Sequence, residues 1–413
     1  MTTNISRPWY QRVGPGLITA CVVIGPGSIL SSSKIGAADG YSKSWVVIAA
    51  VIFMMTFMQM GARLGVLTGR APGDLVAERA GRGLAALIGI GVFFISAAFQ
   101  FGNNLGVHSA FQSLGINWIF TIVLFNILSI CFLLFFKNLY AAVEKLMMAF
   151  VALMLLSFLL NLFFAGPDLK EALAGFVPQT SSIQIELLAL VGTTFVISAA
   201  YFQAYLAQQK GWTTTELRSG MMDARIGSVI MCLITLMLIW TAAASLRNAE
   251  LTNVKDVAQG LNPLFGGMGT PIFCLGLFAA AYSSFLINSM IGGFILSDGF
   301  GLGFRPTDIW PKRFTILVLL TGMFVALYVI RTGEKPVNTI VFAQALTVIA
   351  SPLMAGTLLW LCNRKDLLGD QTNGLISNIL GGLGFLLLLC MAGFTLQSKV
   401  IPAILEQLSQ TVP

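Results

Sequence analysis

The chain has 413 residues, of which 56% are hydrophobic and 10% charged, and its mean hydropathy is +0.85. Apolar side chains in that proportion exceed what a soluble core of this length buries, which excludes a soluble globular protein and leaves a polytopic membrane protein in contact with lipid. The net charge of +7 comes without any Lys/Arg cluster interleaved with aromatics, so no nucleic-acid partner is expected.

Apolar runs of about 20 residues, the length a helix needs to cross roughly 30 Å of hydrocarbon, fall between polar breaks. They lie near 14–38, 44–68, 84–113, 117–136, 146–165, 187–207, 226–246, 268–297, 314–330, 337–361 and 375–397, eleven in all. With these boundaries none of the seventeen Asp and Glu residues falls inside a run. The first run is no signal peptide, because it lacks a small-residue cleavage site and Gly25-Pro26-Gly27 interrupts its centre. Repeated strands of about 10 alternating residues are missing, so the expected fold class is all-α with eleven transmembrane helices rather than a barrel.

Orientation follows from the basic residues. With a cytoplasmic N-terminus, sixteen of the twenty-four Lys and Arg fall in inside loops, which predicts N-in, C-out in a bacterial plasma membrane. The six cysteines sit within or at the ends of apolar runs without CxxC spacing, so they read as packing residues.

Two runs are interrupted. In the first, Gly25-Pro26-Gly27-Ser28 removes a backbone donor and the restraint against unwinding. In the sixth, Gly192-Thr193-Thr194 leads into Phe195-Val196-Ile197-Ser198, a polar cluster early in an apolar span. The first and sixth spans hold equivalent places in two five-helix halves, about 14–165 and 187–361, with an extra helix at 375–397. Broken helices in matching positions point to a transporter's midplane site.

The segment from Gly14-Pro15-Gly16-Leu17 through Gly25-Pro26-Gly27-Ser28 to Gly36-Ala37, then Ala62-Arg63-Leu64-Gly65-Val66-Leu67-Thr68-Gly69, resembles the opening of the Nramp divalent-metal transporters. Asp366-Leu367-Leu368-Gly369 with Asn373, and Pro352 with Gln344, extend the resemblance through the chain. It implies the LeuT-type inverted repeat, five helices plus five plus one, working by alternating access. The departures fall where the family's chemistry lives. Its Asp-Pro-Gly-Asn metal motif has Gly25 and Ser28 at the Asp and Asn positions, and its Ala carbonyl and Met sulfur on helix six match Thr193 and Val196. The Pro-His that follows becomes Ile197 and Ser198, a second His aligns with Gln203, and the acidic proton-pathway pair on helix three aligns with Gln100 and Asn103.

A dehydrated divalent ion needs several oxygens, usually including carboxylates, and transition metals favour nitrogen or sulfur as well. Neutral residues here predict a lost metal site and no bound metal or other cofactor. The half-helix after Gly27 instead presents free N–H groups and a positive dipole end, which suits a carboxylate. The expected cargo is thus a small polar or anionic organic solute such as an amino acid. It would be held by Gly25, Pro26, Gly27, Ser28, Thr193, Thr194, Val196, Ser198, Tyr201, Gln203 and Gln344. A divalent cation (Mn, Fe or Mg) in a divergent site is the first alternative, and a non-transporting sensor or scaffold the second. Ser31 to Ser33 read as packing, and Lys34 as reaching toward the outer interface.

For the coupling ion, His108 is the sole imidazole available to carry H⁺, near Gln100 and Asn103. The competing Na⁺ site would pair Ser283 and Ser284 with a helix-one carbonyl near Ile24. No P-loop, Gly-x-Ser-x-Gly or His-rich cluster occurs, so neither enzymatic activity nor ATP hydrolysis is expected.

Overall fold

The computed structural model describes residues 14–135, 138–178, 185–251, 256–258, 268–333, 347–348, 350–400 and 402. Every regular element among them is helical, as hydrocarbon demands of a chain that must bond its own backbone. The first run holds two helices, α1 (Pro15–Val23) and α2 (Pro26–Asp39), which meet at 57°. Ile24 leaves helical geometry at ψ 78°, Gly25 is extended, and Pro26 opens α2 where its missing N–H has no helical partner to lose.

The third helix, α3 (Ser44–Thr68), stops at Gly69, whose φ of 59° is left-handed and favours glycine. Pro72 then starts the short α4 (Pro72–Ala80), followed by α5 (Arg82–Ser113), α6 (Phe120–Phe135), α7 (Leu139–Ala165) and α8 (Leu169–Ala174). The sixth run is broken like the first, into α9 (Ile185–Thr194) and α10 (Ile197–Gln209). After it come α11 (Leu217–Ser245), α12 (Gly269–Gly299), α13 (Ile309–Thr332), α14 (Ser351–Cys362), α15 (Lys365–Leu368) and α16 (Leu375–Thr395).

Among the described residues eight spans are long and apolar enough to cross a membrane, and the bent pair α1–α2 is a ninth. The other two of the eleven expected spans are represented by α6 and α14, of 16 and 12 residues, and residues 337–346 of the tenth run lie outside the described set. By length and composition the described residues thus support eight spans, or nine with the bent pair. Three starts also differ by five residues or more: α13, α7 and α11 begin at Ile309, Leu139 and Leu217, earlier than the expected 314, 146 and 226, because polar first turns depress the hydropathy there. That extension carries Asp223 into a helix.

The pair α9–α10 forms the axis of the molecule. Its apolar window is 94% buried, against 33% for α7 and α16, which therefore lie toward lipid. Close crossings hold the interior together. A Cβ on Gly61 or Gly65 of α3 would overlap the carbonyl oxygen of Ala200 or Ala204 on α10, so both helices meet through small residues four apart. The loop signatures also touch one another: Arg63 donates to Asn373, and Arg79 bonds Asp366 at 2.8 Å. The Arg79 hydrogen bond holds the Asp366 carboxyl below the usual range.

Substituting Gly65→Val is expected to force α3 off α10, costing about 1–3 kcal/mol and lowering the melting midpoint in detergent. Gly382→Ala, where a Cβ meets nothing within 4 Å, should leave the midpoint unchanged.

Candidate functional site

The two breaks lie side by side, because α1 packs on α10 and α2 on α9. At the second, Phe195 still donates to the Val191 carbonyl at 2.7 Å, Val196 leaves helical geometry at ψ 87°, and Ile197 opens α10. Neither Gly25 nor Val196 supplies a side-chain cap. The last carbonyls of α1 and α9 and the first N–H groups of α2 and α10 thus converge at one depth, offering partial charges of both signs.

Around them stand hydroxyls. Ser28, Ser31, Ser32, Thr194, Ser198 and Tyr201 are all buried, and their oxygens find no partner among the described residues. Buried polar atoms are normally bonded, so this concentration is what a polar cargo would satisfy. Thr193 is turned away, its hydroxyl donating to the Ala189 carbonyl at 2.9 Å, and Val196 contributes an apolar side chain. Pro26 and Gly27 are buried, Pro26 against Gly106 of α5, and Gln344 lies outside the described residues.

Beside Gly25 is a knot of neutral groups. Ser284 donates to the Val22 carbonyl at 3.1 Å and accepts from Asn288 at 2.7 Å and Asn103 at 3.3 Å. The serine therefore meets α1 two residues before Ile24, whereas Ser283 bonds back to Ala280 on its own helix. A Cβ on Gly25 would stand 3.0 Å from the Ser284 hydroxyl and 3.2 Å from the Asn103 carbonyl oxygen. The space beyond Gly25 is filled. Gln100 is buried with both polar atoms unpartnered, while His108 lies 3.4 Å from the Thr121 hydroxyl at the far part of α5.

Two readings from the sequence need correction. Gln203 does not present its amide to the breaks: its oxygen accepts from Thr19 at 2.7 Å and its nitrogen donates to Asp223 at 3.3 Å. Nor are the spans free of acids. Asp223 of α11 and Asp298 of α12 are both buried in the helices, and each serves a helix N-terminus. Asp223 accepts from Gly14 and Gly16 at the start of α1, at 2.7 and 2.6 Å. Asp298 accepts from Gly73 at the start of α4, at 2.7 Å, and from the Tyr205 hydroxyl. The signal available was the glycine pattern: Gly14, Gly16 and Gly73 leave the N–H groups open to a carboxylate approaching from another helix. Lys34 too has a protein partner, Glu186 at 3.8 Å.

Among the described residues no group of three or more His, Cys, Asp or Glu is placed to hold a metal ion. Paired broken helices around a buried polar centre define a membrane transporter. The chain belongs to the natural resistance-associated macrophage protein (Nramp) family, whose model, described as Natural resistance-associated macrophage protein-like, matches residues 16–398. It is 27% identical to the divalent metal cation transporter MntH of Deinococcus radiodurans over 93% of this chain and 89% of that one. Its fold is that of the Eremococcus coleocola manganese transporter, solved with an aromatic bis-isothiourea substituted compound, at a TM-score of 0.82 and 16% identity, covering 95% of this chain and 87% of that one. MhsT, solved with L-phenylalanine, shares it more loosely, at a TM-score of 0.59 and 16% identity over 91% and 98%.

Placing a carboxylate at the break by Gly25→Asp is expected to crowd Ser284 and Asn103 and lower the melting midpoint. Adding Ser284→Ala should recover part of the loss; equal midpoints with and without the second change would refute the steric reading.

Proposed function

We propose that the chain is a secondary transporter of divalent metal cations, alternating access to one midplane site in a bacterial plasma membrane with its N-terminus cytoplasmic. The observation that carries this is family membership over nearly the whole chain, with MntH among the relatives. The organic solute expected from the site's neutrality becomes the second reading.

The geometry qualifies which cation and how. Ser28, Thr194 and Ser198, with the ending carbonyls of α1 and α9, offer neutral oxygens and no carboxylate. Neutral donors do not offset full dehydration of a divalent ion, whereas an ion that keeps several waters needs only hydrogen-bond acceptors for its shell. Such a site favours a hydrated, hard cation such as Mg²⁺ and discriminates weakly among metals, because it lacks the nitrogen and sulfur donors that select transition ions. Thr193, Val196 and Gln203 are left out of this set, their polar groups being absent or engaged.

A specific observation favours the second reading. The α2 N-terminus has neither side-chain cap nor neighbouring acid, and a solute carboxylate would take its N–H groups. The two are separated by uptake into proteoliposomes. Saturable Mg²⁺ and Mn²⁺ uptake of similar efficiency is expected, reduced roughly tenfold by Ser28→Ala or Ser198→Ala, as loss of one hydrogen bond near a charge implies. Uptake of a neutral amino acid with no metal flux would replace the first reading by the second.

A further inference from the structure

We propose that Asp223 is the site of a coupling proton, and that its protonation releases α1 so that the cargo site opens toward the cytoplasm. This rests on the transporter reading above. Asp223 and Asp298 are the two buried carboxylates among the described residues, each 1% exposed. Their settings differ. Asp298 holds the short linker helix α4 through Gly73, with Tyr205 on its other side. Asp223 joins three elements on which the broken first span depends.

Its Oδ1 accepts from the Gly14 N–H at 2.7 Å, and its Oδ2 from the Gly16 N–H at 2.6 Å and from Gln203 Nε2 at 3.3 Å. Gln203 Oε1 then accepts from the Thr19 hydroxyl at 2.7 Å, so α1 is tied to α11 directly and to α10 through one amide. The seat is close. A Cβ on Gly16 would overlap the Asp223 carbonyl, and one on Gly227 would overlap the Gly16 carbonyl.

Every group facing this carboxylate is a donor. A proton taken from water that enters with the cargo would make one oxygen an O–H, a weaker acceptor for the N–H it now receives, and would remove the negative charge that strengthens all of these bonds. Turning the Gln203 amide would give the O–H an acceptor, with the Thr19 hydroxyl accepting from the amide NH₂ and donating to the Pro15 carbonyl, 3.0 Å away. Either way the Gly14 and Gly16 bonds lose the charge assistance that makes them the stronger kind of hydrogen bond, and α1 is held less tightly. Once α1 has moved out, the carboxylate meets cytoplasmic water, returns the proton and recovers its N–H partners on closing.

The charged and titratable groups about this point are Lys210 at the end of α10 and Glu144 and Tyr140 on α7. Lys210 and Glu144 pair with each other, and the Tyr140 ring lies 5.9 Å from the Lys210 ammonium. Lys210 also acts electrostatically on Asp223, whose hydrogen-bond partners are otherwise neutral donors. The role differs from those expected of Gln100, Asn103 and His108, which lie on α5 and are not among the hydrogen-bond partners of Asp223.

Cys21 reports on α1 without any cargo. It is fully buried, its thiol facing the Met147 carbonyl at 3.7 Å. In a variant retaining only this cysteine, maleimide labelling would be measured in detergent at about pH 5.5 and about pH 8. Each rate is divided by that of glutathione in the same detergent buffer, which removes the chemical pH dependence. The normalised rate is expected to rise roughly tenfold at the lower pH. Asp223→Asn should label fast at both, and Asp298→Asn should keep the pH response. Asp223→Glu covers the case in which the Asn variant does not fold, and should also keep it. A pH-independent wild-type rate, a response surviving Asp223→Asn, or one abolished by Asp298→Asn or by Asp223→Glu in a folded protein would overturn the assignment. A pH response without uptake of any cargo would instead defeat the transport reading and leave the proton latch standing.

Discussion

A backbone N–H or C=O deprived of a partner in hydrocarbon costs several kcal/mol, so a spanning helix is broken only where protein or polar cargo replaces lipid. Both breaks here meet that condition. Gly25 is closed in by Ser284 and Asn103, the neighbouring α1 carbonyl of Val22 takes the Ser284 hydroxyl, and the α9–α10 pair lies at the centre of the bundle. The small-residue crossings follow from the same need. Gly61 and Gly65 let α3 approach α10 closely enough to exclude lipid from the second break, and Gly106 does so for α5 against Pro26.

The unusual distribution of charge is then intelligible. At the breaks the polar groups are hydroxyls and amides, and the buried carboxylates have a different place, Asp223 and Asp298 each at a helix start. A carboxylate that accepts two or three N–H bonds stays buried at tolerable cost, because those donors replace water. Gly25 shows the complementary case. Its space already holds Ser284 and Asn103, so an acid there would have to displace side chains of α12 and α5.

Much of this was legible in the sequence. Gly25-Pro26-Gly27 marked the first break because proline and glycine act through the local backbone, and the sixth-span break falls within Phe195-Val196. The loop signatures around Arg63 and Asn373 also had a physical basis, since the two residues bond across 310 positions. What escaped was non-local. Hydropathy stopped the seventh span short of Asp223, although α11 runs from Leu217, because a window average counts a polar first turn as loop whether water or protein surrounds it. Gln203 was read as facing the cargo because it aligns with the family's second helix-six His, but Thr19 and Asp223 arrive from other helices and engage its amide.

Gln203 also shows why neutrality at the breaks and charge at the α1 start belong together. In a site lined by acids, cargo and proton compete for the same carboxylates, and electrostatics couples them directly. With neutral oxygens that direct coupling is weak, and any link must be mechanical, through an element touching both places. The α10 helix is such an element: Ser198 stands in its first turn beside the break, and Gln203, five residues on, bonds Asp223. At 1.5 Å rise per residue the two are separated by about 8 Å along a rigid helix. On the proposed reading, displacement of α10 by cargo at Ser198 would alter the Gln203 bond that ties α1 down, and strain at one end would reach the other without a charge crossing the membrane interior.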